Sequence, residues 1–67
     1  GRIWALVAST ATVAYGGGVA LITEGTNAGK FTDASDASET KKVALTGVTF
    51  TGKADKDNGI AVIEIKA

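Results

Sequence analysis

Apolar and polar positions alternate most clearly over residues 42–67, K-V-A-L-T-G-V-T-F-T-G-K-A-D-K-D-N-G-I-A-V-I-E-I-K-A. A period of two marks a strand with one face turned to a core. Val43 and Leu45 place the apolar set on odd positions, and Val48 and Phe50 place it on even ones. The phase changes across Thr46-Gly47, which predicts a β-bulge or a tight bend at that glycine. Positions 52–59 are expected to close a hairpin, with Asn58-Gly59 the strongest turn dipeptide in the chain. Positions 60–67 return as a strand, with Ala61, Ile63 and Ile65 on one face and Ile60, Val62, Glu64 and Lys66 on the other.

The first half reads as shorter strands. Ile3, Ala5 and Val7 share one face, and Trp4, Leu6 and Ala8 share the other. With both faces apolar, this strand is expected to be buried on both sides or to lie against a partner chain. Positions 8–15 either continue it or form a second strand. Tyr15-Gly16-Gly17-Gly18 predicts a turn, and positions 19–24 a strand forming a hairpin with the segment before the glycines. A second turn at 25–29 leads to a short extended piece, Lys30-Phe31-Thr32. Positions 33–40, D-A-S-D-A-S-E-T, hold no large apolar residue. They predict a surface loop with room for one helical turn capped by Asp33 or Ser35.

Composition points the same way. Val, Ile and Thr fill 20 of 67 positions and proline is absent, which favours pleated strands over helices. The expected fold is all-β: a single small domain over residues 1–67, built as an antiparallel sandwich or barrel-like meander. It has about five or six short strands with glycine-marked turns. Gly1 in place of methionine fits a processed chain or a fragment of a longer one.

A chain of this length buries only about 60% of its unfolded surface. Cysteine and histidine are both missing, so neither a disulfide staple nor a Cys/His zinc site is available. An all-oxygen metal site or burial against other subunits remains as a source of stability, and the second is the expected one. Seven basic residues balance seven acidic ones, and only Lys41-Lys42 are adjacent. No basic face is in prospect, so no nucleic-acid partner is expected. Ile3 to Ile22 is free of charge, but Gly16-Gly17-Gly18 interrupts it, Ser9, Thr10 and Thr12 dilute it, and no positive flank follows. No membrane span is expected there.

Three stretches invite a chemical reading. Gly25-Thr26-Asn27-Ala28-Gly29-Lys30 looks like a phosphate loop, but it has three residues between its glycines rather than four, and Phe31 follows the lysine. It reads as a glycine turn. Asp55-Lys56-Asp57-Asn58-Gly59 looks like the start of a calcium loop, but its glycine comes one position early and Ile65 stands where the closing glutamate belongs. Hairpin-turn chemistry accounts for it. Asp33, Asp36 and Glu39, three apart, could line one side of a helical turn. Acid–base work needs an apolar wall to raise one pKa, and a Ser/Ala loop offers none, so a solvated acidic loop is expected. No Ser-His or Cys-His pair can form. The expectation is no enzyme, no catalytic residue, no cofactor and no metal. Trp4, Tyr15, Phe31 and Phe50 are too few and too scattered for a stacking platform and read as core or interface anchors.

The runs A-T-V-A-Y-G-G-G-V-A-L-I-T-E-G, V-A-L-T-G-V-T-F-T-G and N-G-I-A-V-I-E-I-K-A resemble, in strand rhythm and composition, the small all-β structural proteins of tailed-bacteriophage virions. Such proteins decorate or cement capsids, or build fibres and tails. Similar strands occur in bacterial surface filaments. The resemblance covers about two-thirds of the chain and carries no site residues. It implies a structural subunit located in a virion, acting through packing as a homo-oligomer and with other structural subunits. The alternatives are a small carbohydrate- or receptor-binding module, or a filament subunit, placed outside the cell or on its surface. Ile3, Trp4, Leu6 and Val7 are the expected assembly interface, because a chain this small cannot easily bury them itself. Removing residues 1–7 is accordingly expected to abolish assembly and leave the hairpin foldable.

Overall fold

The computed structural model describes residues 1–66; Ala67, the end of the expected last strand, lies outside the described residues. The alternation at its C-terminal half becomes a long strand and its return. The elements are β1 (Arg2–Leu6), β2 (Gly18–Ile22), β3 (Phe31–Asp33), β4 (Lys42–Asp55) and β5 (Ile60–Ile65). All neighbours run antiparallel in one five-stranded sheet, ordered β1-β5-β4-β2-β3. No helix occurs among the described residues, and the all-β expectation holds.

The predicted bend is the feature that organises the sheet. Before it, β4 pairs with β2, from Ile22–Lys42 to Ala20–Ala44. After it, β4 pairs with β5 from Val48–Ile65 onward and keeps one pairing with β2, Thr49 opposite Gly18. The ladder to β2 loses register between these halves. Gly47 lies there with φ of 76°, and its carbonyl accepts a 2.8 Å hydrogen bond from the Lys66 amide. That φ disfavours any residue with a Cβ. A Cβ at this position would also sit 3.2 Å from the Lys66 carbonyl oxygen. Gly47→Ala is therefore expected to cost about 1–2 kcal/mol. Urea unfolding should show a lowered midpoint, and an unchanged midpoint would mean the bend does not need glycine.

Two expectations need correction. The turn of the long hairpin is shorter than 52–59. Strand β4 continues through Gly52 to Asp55, and only residues 56–59 form the turn. Gly52, at φ of 90°, lies in a stretch where β4 runs from Phe50 to Ala54 while β5 moves only from Ile63 to Ala61. Extra residues on one strand make a bulge, so the glycine kinks the strand without ending it.

The second correction concerns residues 8–15, which form no strand and do not pair with β2. Their backbone is engaged elsewhere. The Ala11 amide bonds the Ala8 carbonyl, and the Thr12 amide bonds Asp33 Oδ1 at 2.8 Å. Gly16 and Gly17 exchange backbone bonds with Phe50. Strand β2 pairs instead with β3 and β4.

The sheet curls until its two ends touch. Beyond β1, Val7 forms an isolated parallel bridge with Phe31, and the Ala8 amide donates to the Phe31 carbonyl at 2.9 Å. Inside the curl lie Ala5, Val7, Ala11, Val19, Phe50, Ala61 and Ile63, with Val13, Phe31, Leu45 and Val48 packed against them. Leu45 is odd and Val48 and Phe50 are even, so the phase switch at the bend turns residues from both halves of β4 inward; Val43, expected to share the face of Leu45, is instead 55% exposed. Fully burying each large side chain stabilises the fold by about 1.5–3 kcal/mol.

Candidate functional site

Strand β1 has one partner. Gly1 and Ile65 exchange both backbone hydrogen bonds at 2.7 Å, and the Val7 amide donates to the Gly59 carbonyl at 2.8 Å. The register between them is unbroken, with Ile3 opposite Ile63 and Ala5 opposite Ala61. In an antiparallel ladder, bonded and non-bonded pairs alternate. The odd residues of β1 therefore face β5, and the amide and carbonyl groups of Arg2, Trp4 and Leu6 point the other way. On that side β3 reaches the end of the strand, through the Val7–Phe31 bridge, and no strand is paired beside Arg2 to Trp4.

The side chains of this edge are apolar and wet. Ile3, Trp4 and Leu6 are 51%, 49% and 56% exposed. Trp4 stands opposite Val62 and Leu6 opposite Ile60, so the outer face continues onto β5. The Lys53 ammonium lies 5.7 Å from the centre of the Trp4 ring, a cation–π contact worth about 0.5–1 kcal/mol at an exposed site. Arg2 and Glu64 pair at 3.5 Å, an exposed ion pair of small consequence.

Of the four residues expected at an interface, Trp4 and Leu6 share the exposed outer face of β1, and Ile3 is half exposed on the opposite face. Val7 is the exception. It is 3% exposed and belongs to the core, because the chain crosses there from the edge to its bridge with Phe31. Ala5 is buried too. Deleting residues 1–7 would remove part of the core along with the edge, so point substitutions are the proper probe.

The three carboxylates at 33–40 are all engaged, and Asp36 is not solvated as the sequence suggested. It is 6% exposed. Its Oδ2 accepts from the Thr32 hydroxyl at 2.6 Å and the Thr10 hydroxyl at 2.7 Å, and its Oδ1 accepts from the Ser38 amide at 2.9 Å. The Thr32 hydroxyl chiefly holds the Asp36 carboxyl below its ordinary pKa. Burial opposes it, while Thr10, the Ser38 amide and the Lys42 charge act in the same downward sense. Lys42 Nζ also donates to the Asp36 and Glu39 carbonyls, tying the loop to β4. Asp33 caps Thr12, and Glu39 accepts from Asn27. The trio is a set of structural clasps, and no helical turn forms there. Asp-x-Ser at 36–38 is a legible Asx-turn signal, but nothing nearby in sequence announces the burial.

The remaining motifs stay local. Gly29 donates to the Ile22 carbonyl and Lys30 Nζ reaches Asn27 Oδ1 at 3.3 Å, which closes a turn. Both carboxylate oxygens of Asp55 accept from Asn58, which stabilises the hairpin turn. No group of His, Cys, Asp or Glu suited to a metal occurs among the described residues. Nor does any helix long and apolar enough to cross a membrane. One open cavity of about 300 Å³ is lined by Val7, Ala8, Ser9, Asn27, Lys30, Lys56 and Gly59. Lys56 Nζ is held there by the Ala11 carbonyl at 2.8 Å.

No protein-family model, no curated protein and no solved structure matches the chain.

Proposed function

We propose that this chain is a structural subunit that works by packing into a larger assembly. The virion decoration, cement or fibre proteins that its sequence resembles are the nearest kind. One observation carries the reading: Trp4 and Leu6, each about half exposed, lie on one face of an end strand of the sheet and continue onto Val62 and Ile60 of β5. Isolated exposed apolar residues are ordinary, but a contiguous set marks a contact surface. A formal charge of zero removes the self-repulsion that would oppose dense packing. Partners are further copies and other structural subunits, and the place of action is the virion.

Mass in solution tests this. The chain is expected to form dimers or larger particles, and the double substitution Trp4→Ser with Leu6→Ser should shift them toward monomer with the strand content kept. A chain that stays monomeric at every concentration overturns the reading. The cavity beside Lys30 and Lys56 supports a second reading, a small module binding an anionic group such as an acidic sugar. A monomer whose amide resonances at Ser9, Asn27 and Gly59 shift saturably with such a ligand would favour it.

A further inference from the structure

We propose that Asn58 is a site of spontaneous deamidation, and that the change opens the turn between β4 and β5. The chain holds two carboxamide side chains, Asn27 and Asn58, and no glutamine. Only Asn58 is followed by glycine. Deamidation begins when the amide nitrogen of the next residue attacks the asparagine Cγ. A glycine there has no side chain to obstruct the approach and leaves the backbone free to adopt it. Asn58 and its neighbours Lys56 and Asp57 are exposed at the tip of the turn, where water reaches them and a chain opens most readily.

In the reaction the Gly59 nitrogen gives up its proton to hydroxide and forms a bond to Asn58 Cγ. The Cγ–Nδ2 bond breaks and ammonia leaves, which closes a cyclic imide. Water then opens the imide at either carbonyl. One opening gives aspartate, and the other gives isoaspartate, whose main chain runs through Cβ and Cγ. Three hydrogen bonds restrain the first step. Asn58 Nδ2 donates to Asp55 Oδ2 at 2.8 Å, the Asn58 amide to Asp55 Oδ1 at 3.3 Å, and the Gly59 amide to the Lys56 carbonyl at 3.2 Å. The last two are long, and local opening of an exposed turn releases all three without unfolding the sheet. Asp55 is the brake, because it pins the carboxamide that must rotate toward Gly59. Asn27 precedes Ala28, and its Nδ2 is held by Glu39 Oε2 at 2.7 Å in a partly buried setting.

The product reverses the clasp. A carboxylate replaces the carboxamide that donates to Asp55, so like charges meet where a hydrogen bond stood, with Asp57 between them in sequence. In isoaspartate the main chain also gains a methylene, within a turn over residues 56–59 whose length sets the register of β4 against β5. Gly59 matters beyond the hairpin. Its carbonyl accepts from the Val7 amide at 2.8 Å, where the chain leaves β1 for the bridge with Phe31. The change at position 58 therefore loosens the end of β1 as well as the turn.

Ageing of the full chain in mildly alkaline buffer tests the proposal. The intact mass should rise by the difference between a carboxylic acid and its amide. Peptide mapping should place the gain at residue 58, as both aspartate and isoaspartate, while Asn27 keeps its amide. Asn58→Gln, whose longer side chain closes the ring far more slowly, should keep its mass over the same period. Asp55→Ala, with its strand content checked by circular dichroism, should speed the change about tenfold, as expected for losing one hydrogen bond to a charged group. In Asn58→Asp, exchange of the Val7 amide should quicken about threefold or more while the amides of β2 are unaffected. A folded chain that keeps its mass while the same chain in urea gains it overturns the proposal, and so does modification at Asn27 ahead of Asn58. An equal rate in folded Asp55→Ala removes Asp55 as the brake. Unchanged Val7 exchange, both in Asn58→Asp and in the aged chain purified by ion exchange, overturns the opening of the turn.

Discussion

Phe50→Ala is expected to leave the chain with little or no folded population at 25 °C. Phe50 is the largest side chain fully buried in the core. Truncating a buried phenylalanine costs about 3–5 kcal/mol. A domain of this length has roughly 3–10 kcal/mol in total, at 0.05–0.15 kcal/mol per residue. The position has no spare room to relax, because its own backbone joins two parts of the molecule. Its carbonyl accepts from Gly16, and its amide donates to Gly17 at 2.8 Å. The ring therefore packs at the place where the glycine loop is tied to β4. Urea unfolding followed by far-ultraviolet circular dichroism should show either no cooperative transition or a midpoint less than about half the original, given the fraction of stability removed. A midpoint close to that of the unsubstituted chain would show that the core does not depend on this ring.

The second large effect is acid lability centred on Asp36. Its folded pKa lies below the unfolded value of about 3.9, so folding favours the ionised form. The stabilisation is complete well above that unfolded value. It is lost as the pH falls through it and on through the lower folded value. Stability should thus be level from neutral pH to about pH 5 and decline below it. Asp36→Ala leaves the buried Thr32 hydroxyl without its acceptor and should cost about 2–3 kcal/mol at pH 7. Asp36→Asn keeps the shape and isolates the charge. Its unfolding free energy, measured by urea titration at stepped pH, should lose most of the decline below pH 5. If the Asn variant declines as steeply as the original, another carboxylate carries the acid sensitivity.

Where the sequence was readable, a local pattern spoke for a local structure. The alternation in 42–50 and 60–65 marks β4 and β5, and the phase switch marks Gly47, because a strand with one buried face must reverse phase wherever it bends. Gly52 was misread as a turn because a bulge and a turn both recruit glycine, and only the partner strand tells them apart. The partner of β1 was hidden for another reason. Arg2 pairs with Glu64, and no periodicity links residues so far apart. Residues 8–15 carry Thr, Val and Tyr and look strand-like, yet Asp33 and Phe50 claim their backbone. At the candidate site, the exposed edge was legible in Ile3, Trp4 and Leu6, whose bulk exceeds what so small a core can hold. Val7 was not separable from them, since the crossing to Phe31 is a long-range event.

The pairing of β1 with β5 also sets a schedule for folding. During synthesis β1 leaves the ribosome early and finds no partner until β5 follows, so its apolar edge waits in a nascent chain while nearly the whole domain is made. Strand β4 cannot seat both of its neighbours until then either, because β5 is one of them. Contacts this distant in sequence slow the search for the native state. Maturation of this domain is therefore expected to begin only when the last strand arrives, and crowded translation of many copies exposes them to one another before any has closed.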